Sequence, residues 1–239
     1  MRKLVIFLVV LLALVIVGDW GLKQAAEREI AKRVAAKVRL TEPPEVTIDG
    51  YPFLTQMLSG RYESIHLVSG QISRGEVRVK SLDVRLNGVT APLEKLLANS
   101  GDSITATSAT ATALVPYGEV QRRVPEGLTV APAGEFLQLS GEFSVAGVKV
   151  PVKSKLKLKV TRRGIVAVPK EVQVGRFPAS AVRNRLGFTV PLRELPMKLK
   201  VTGVKVTPGG LQVNARGTQV ALSGGNLSGG SLEEGTSGN

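Results

Sequence analysis

The chain opens on an unbroken apolar run, passes into a four-residue beat, and from about residue 45 alternates with a period of two. Arg2 and Lys3 precede fourteen apolar residues, Leu4 to Val17. As a helix these span about 21 Å, short of the ~30 Å hydrocarbon core of a bilayer and in the range of an export-signal core. A cleavage site wants small residues at −3 and −1, yet cutting after Gly18 or Ala13 would place Ile16 or Leu11 at −3. Residues 1–18 therefore read as a retained signal anchor, with a cleaved signal peptide as the alternative. The leading cations favour a cytoplasmic N-terminus and an extracytoplasmic body, anchored in the cell membrane or secreted. Lys23, Arg28, Lys32, Arg33, Lys37 and Arg39 pull against that orientation.

Asp19 to Leu40 predicts an amphipathic helix. Leu22, Ala26, Ile30 and Val34 recur at every fourth position, Val38 continues the series, Asp19 is placed to cap the start, and Pro43-Pro44 to end it. Its apolar side would lie on a membrane or lipid, or pack on a sheet.

Period-two runs then predict strands over Glu45–Ile48, Glu63–Ser69, Glu76–Asn87 (with a bulge or bend at Ser81), Ile104–Val115, Phe136–Ala146, Val148–Thr161 and Ile165–Val174. Met197–Thr207 and Leu211–Leu222 form a closing hairpin over Pro208-Gly209-Gly210. Short helices are expected over Tyr51–Gly60, Pro92–Ala98, Pro116–Val124 and Pro178–Leu186. Short, glycine-marked turns imply antiparallel pairing, because parallel strands need long crossovers. The fold class is α+β: one domain over 19–222, followed by a disordered Gly/Ser-rich tail over 223–239.

Composition narrows the chemistry. Hydrophobic residues make up 43% of the chain but aromatics only 4%, so the core is built from Val, Leu, Ile and Ala. The absence of cysteine excludes disulfides, thiol nucleophiles, cysteine-ligated zinc and acyl-cysteine anchoring. A net charge of +13 asks for anionic partners. No RNP-type aromatic pair, zinc-finger spacing or basic region leading into heptads is present, so no nucleic acid is expected. The partners left are anionic phospholipid, a membrane surface or an acidic polymer.

Three patterns bear on binding. Lys149, Lys153, Lys155, Lys157 and Lys159 alternate with Val148, Val150, Val152, Leu156, Leu158 and Val160. A strand then has one apolar and one basic face, with Lys153, Lys155, Lys157 and Lys159 as headgroup contacts or a solvated face that guards an edge. Thr105 to Ala113 is small on both sides, which admits a close-packed helix or leaves room for an acyl chain. Phe53, Leu54, Met57 and Leu58 give one compact apolar helix face, which with Leu22, Ile30 and Val34 makes the candidate lipid-binding set, or else plugs one end of the core. For catalysis the chain is nearly silent. His66 is its one histidine and Asp19, Asp49, Asp83 and Asp102 are scattered. No hydrolase elbow, zincin or P-loop motif occurs, so a non-enzymatic protein without metal or cofactor is expected.

Several stretches together resemble the actinobacterial LmeA-like phospholipid-binding family: Gly50-Tyr51-Pro52-Phe53-Leu54-Thr55 with Gly60-Arg61-Tyr62, Ser81 to Val89 leading into Pro92-Leu93, Val115-Pro116-Tyr117, and Phe188 to Leu192 through Leu195-Pro196 to Val204–Leu211. The resemblance covers roughly residues 4 to 222. It implies an exported envelope protein that binds phospholipid, inositol phospholipid included, with a role in envelope lipid or mannan-lipid maturation. It also implies a tubular lipid-binding type of fold: a curved, mainly antiparallel sheet wrapped on the N-terminal helix, with an acyl chain between them. The strong positive charge and the Gly/Ser tail depart from the family pattern. A monomer is expected. The alternative is a non-enzymatic envelope scaffold that binds acidic wall polymer through its basic strands.

Overall fold

The structure is a computed structural model and describes residues 2–38, 40, 42–74, 77–92, 104–145, 147–161, 164–175, 178–191 and 199–222. The expected helix over Pro92–Ala98, apart from Pro92, and the C-terminal tail lie outside the described residues.

Helix α1 runs from Arg2 to Val38 without interruption. Asp19 therefore does not start a helix, as the sequence suggested; it sits inside one. Its carboxylate caps a different helix, α2 (Phe53–Ser59), accepting from the Phe53 amide at 2.9 Å and the Leu54 amide at 2.6 Å. The first amides of any helix lack intrahelical partners. Pro52, at the N-cap of α2, offers no side-chain cap, so Asp19 supplies one from 34 residues away. Glu27, two turns further along α1, accepts from the Ile48 amide at 2.8 Å. Gly60 closes α2 at φ 64°, a left-handed C-cap that glycine adopts without penalty.

Thirteen strands follow among the described residues: β1 (Glu45–Asp49), β2 (Arg61–Ser69), β3 (Ile72–Arg74), β4 (Val77–Val79), β5 (Ser81–Thr90), β6 (Thr105–Val115), β7 (Leu128–Ala133), β8 (Phe136–Val145), β9 (Val148–Thr161), β10 (Gly164–Val174), β11 (Phe188–Pro191), β12 (Lys200–Thr207) and β13 (Gly210–Ala221). Helix α3 (Tyr117–Gln121) joins β6 to β7, and α4 (Ser180–Leu186) joins β10 to β11. The fold is α+β, and the strands form two antiparallel sheets and a ribbon. The first sheet has the order β1-β2-β5-β6-β13-β12, the second β11-β10-β9-β8-β7, and the ribbon is β3-β4. The phase shift at Ser81 is a strand boundary: Val77–Val79 pairs with β3, whereas Ser81–Thr90 joins the first sheet between β2 and β6.

Two cores result. One gathers α3, α4 and the inner face of the second sheet around Leu137, Leu139, Val150, Leu156, Val182 and Leu186, with Leu211 of β13 reaching in from the first sheet. The other packs Ala26 and Ile30 of α1 and Phe53 of α2 onto Ile48, Leu86, Val89, Ala106 and Ala109 at the opposite end of the first sheet. Between the ends the inner face of that sheet changes parity: Leu86 and Val89 are both buried, as are Ala106 and Ala109. The change falls on the row holding Gly88 (φ 59°), Thr107 and Gln219 (φ 49°), where left-handed residues in the strands flanking β6 bend the sheet.

Candidate functional site

Strand register settles which residues share the concave face of the first sheet. One cross-strand row reads Val46–Leu67–Val84–Ala111–Ala215–Val201. The next reads Leu82–Ala113–Val213–Val204, and the last Val115–Leu211–Val206. Residues on the other face are mostly polar: His66, Arg85, Thr110, Arg216 and Lys200 form one outer row, and Val68 and Leu114 are apolar exceptions on that face. The concave face is thus apolar from one core to the other. It is incompletely covered: Leu67, Leu82, Val84, Ala111, Ala113, Val213 and Val204 are all half-buried. Alanines in the middle strand keep its floor low.

This face leads into a cavity of about 450 Å³ between the two sheets, within the roughly 300–1,000 Å³ range of sites for small ligands. Val115, Leu211 and Val213 of the first sheet form one wall; Leu158, Ile165, Phe188 and Val190 of the second form the other. Helix α3 supplies Val120 to the wall and Glu119 to its polar part, which Arg122 and Arg123, just past the end of the helix, complete. Arg122 is paired with Glu119 at 3.2 Å. Tyr117, also on α3, donates its hydroxyl to the Thr207 carbonyl and so ties α3 to the β12–β13 hairpin beside the cavity; burial raises its phenol above the ordinary value. An apolar trough with cations at one end can seat an alkyl chain, each methylene buried contributing about 0.8 kcal/mol, with an anionic group at the arginines.

The residues put forward from the sequence divide. Ile30, Phe53 and Met57 meet in the core near α1 and α2. Phe53 is 2% exposed and packs on Tyr62 with ring centroids 6.3 Å apart, so it fills space rather than lining it. Val34 and Leu54 are half-buried, and Leu22 and Leu58 are exposed. Lys153, Lys155, Lys157 and Lys159 project from the outer face of β9, away from the cavity, and Lys155 pairs with Glu171 at 2.9 Å. The cavity itself was missed. Its one sequence signal is the matched alternation of Leu211, Val213 and Ala215 with Ala111, Ala113 and Val115, which becomes visible only once β6 and β13 are known to pair. His66 is half-buried and lies 3.0 Å from Asp83 on the outer face, remote from the trough. Among the described residues no group of three His, Asp or Glu side chains is placed to hold a metal ion.

α1 is long and apolar enough to cross a membrane, and its residues Leu4 to Val17 are exposed. A family model described as LmeA-like phospholipid-binding matches residues 17–216. No curated protein and no solved structure matches the chain.

Proposed function

The chain belongs to the LmeA-like phospholipid-binding family, and from that premise we propose that it is a membrane-tethered phospholipid carrier of the extracytoplasmic face. It takes the acyl part of an anionic phospholipid into the trough between its sheets, with Arg122 and Arg123 toward the headgroup. It acts as a monomer in the maturation of envelope lipids or lipoglycans. The observation that carries this reading is the half-buried apolar face of the first sheet running into the cavity between the sheets. A filled sandwich would bury that face, because exposed contiguous apolar surface is costly unless something covers it. The binding is non-catalytic: His66 and Asp83 lie on the polar side of the sheet, away from the trough.

Native mass spectrometry and lipid extraction of the purified chain test this. One co-purifying phospholipid per chain is expected, and Ala113→Phe, which fills the floor of the trough, should lower its occupancy at least tenfold in a folded protein. A chain that is consistently empty and ignores anionic vesicles refutes the proposal.

A second reading draws on β9, whose Lys149, Lys153, Lys157 and Lys159 are exposed. As a scaffold on acidic wall polymer, the protein would bind polymer in a salt-sensitive way that Ala113→Phe leaves unchanged.

A further inference from the structure

The apolar run of α1 is longer than fourteen residues once Asp19 is accounted for. Both carboxylate oxygens of Asp19 are taken up by the α2 amides, and the side chain is 4% exposed. Asp19 therefore faces the body, and Leu4 to Leu22 is otherwise free of charge. As nineteen helical residues this stretch covers about 28 Å, close to the ~30 Å hydrocarbon thickness. The same two hydrogen bonds, made at Asp19, fix α2 within about one helical turn of where that stretch ends.

Two of the four exposed large apolar side chains described after α1 lie at this depth, the others being Val68 and Val148. Among the described residues after α1, the two most exposed large apolar side chains are Leu58 at 70% and Tyr51 at 69%. Trp20, beside Asp19 on α1, is 64% exposed. Trp and Tyr favour the bilayer–water interface, where one end of the ring is apolar and the other wet. Next to Tyr51 lies a shallow depression of about 290 Å³ lined also by Gln56, Arg61, Tyr62 and Glu63, polar groups of the kind that meet a headgroup layer.

We propose that the Tyr51-Pro52 corner and α2 rest on the surface of the bilayer that α1 enters, so that the body is seated on the membrane in one fixed orientation rather than swinging on a tether. The α1–α2 clamp is what makes the seat possible: α1 runs as one unbroken helix from the spanning segment into the body. Leu22 and Leu58 then contact the bilayer, not a lipid inside the protein. This inference rests on α1 entering the membrane and is independent of what occupies the trough.

The chain lacks cysteine, so single-cysteine variants Tyr51→Cys, Leu58→Cys, Leu11→Cys and Glu135→Cys can carry an environment-sensitive fluorophore. The full chain is reconstituted in phosphatidylcholine–phosphatidylglycerol vesicles. Labels at 51 and 58 should be quenched by headgroup-level nitroxide lipids at least threefold more than the label at 135, in the β7–β8 turn. The label at 11 should respond to deep nitroxides. If 51 and 58 are as open to aqueous iodide as 135 while 11 is deep, the seat is wrong and the anchor stands. If 11 is not deep, the anchor and the seat both fall. If 51 and 58 resist iodide yet ignore every lipid quencher, the surface covers a second copy of this chain, and the assignment to bilayer is overturned.

Discussion

Asp19 shows how much a single carboxylate can organise. It is buried, bonded to two amides, and joins α1 to α2. Asp19→Ala leaves both amides without an acceptor, and a lost cap or orphaned buried donor costs about 1–3 kcal/mol. Thermal denaturation should show the midpoint lowered by roughly 2–4 °C for each kcal/mol lost in a domain of this size. Asp19→Asn keeps one acceptor oxygen and should lose less. Tyr62 gives a pH signature. Burial raises its phenol above the ordinary value. Because the folded value exceeds the unfolded one, this contribution is complete below the unfolded value of about 10 and is lost as pH rises through the folded value. Tyr62→Phe should therefore unfold less steeply with rising alkaline pH than the parent chain. At this scale the sequence was partly legible. Asp19 was visible as a cap, but its client was not, since the bond spans 34 residues.

Among the elements, β9 was the clearest to read and β7 the least. β9 alternates over 14 residues between a lysine face and an apolar face, and the period survives because each face meets a different environment. β7 and β11 are short edge strands, and Pro132 inside β7 weakens its strand signal while being tolerated at an edge. The small residues of β6 were legible as room to spare, but their role depended on partners about 100 residues away in β13, which local pattern does not specify. The lysines make a separable prediction. Each cation near an anionic surface contributes on the order of 1 kcal/mol, screened within a Debye length of about 10 Å at 0.1 M salt. Because α2 and not β9 rests on the bilayer, replacing Lys153, Lys157 and Lys159 by Gln should change vesicle binding of the detergent-solubilised chain less than twofold at low salt. A tenfold loss that closes at high salt would put β9 on the surface instead, and lipid occupancy of the trough should not change. Vesicle co-flotation across a salt series reads both limbs.

The whole molecule joins a helix that can enter a bilayer, a body clamped to it, and an apolar trough between two sheets. The α+β class, the antiparallel pairing and the family were readable from strand periodicity, short turns and the spaced motifs. The division into two sheets was not, because it depends on which strands meet across the cavity. The central claim is that the phospholipid's acyl chain lies in that trough. A phospholipid with a photoactivatable diazirine in its acyl chain, loaded into the full chain and cross-linked, tests it most directly by peptide mapping. Adducts are expected on Thr105–Val115, Gly210–Ala221 and Phe188–Pro191, and Ala113→Phe should abolish them. Adducts confined to α1 and α2, unchanged by Ala113→Phe, would contradict it.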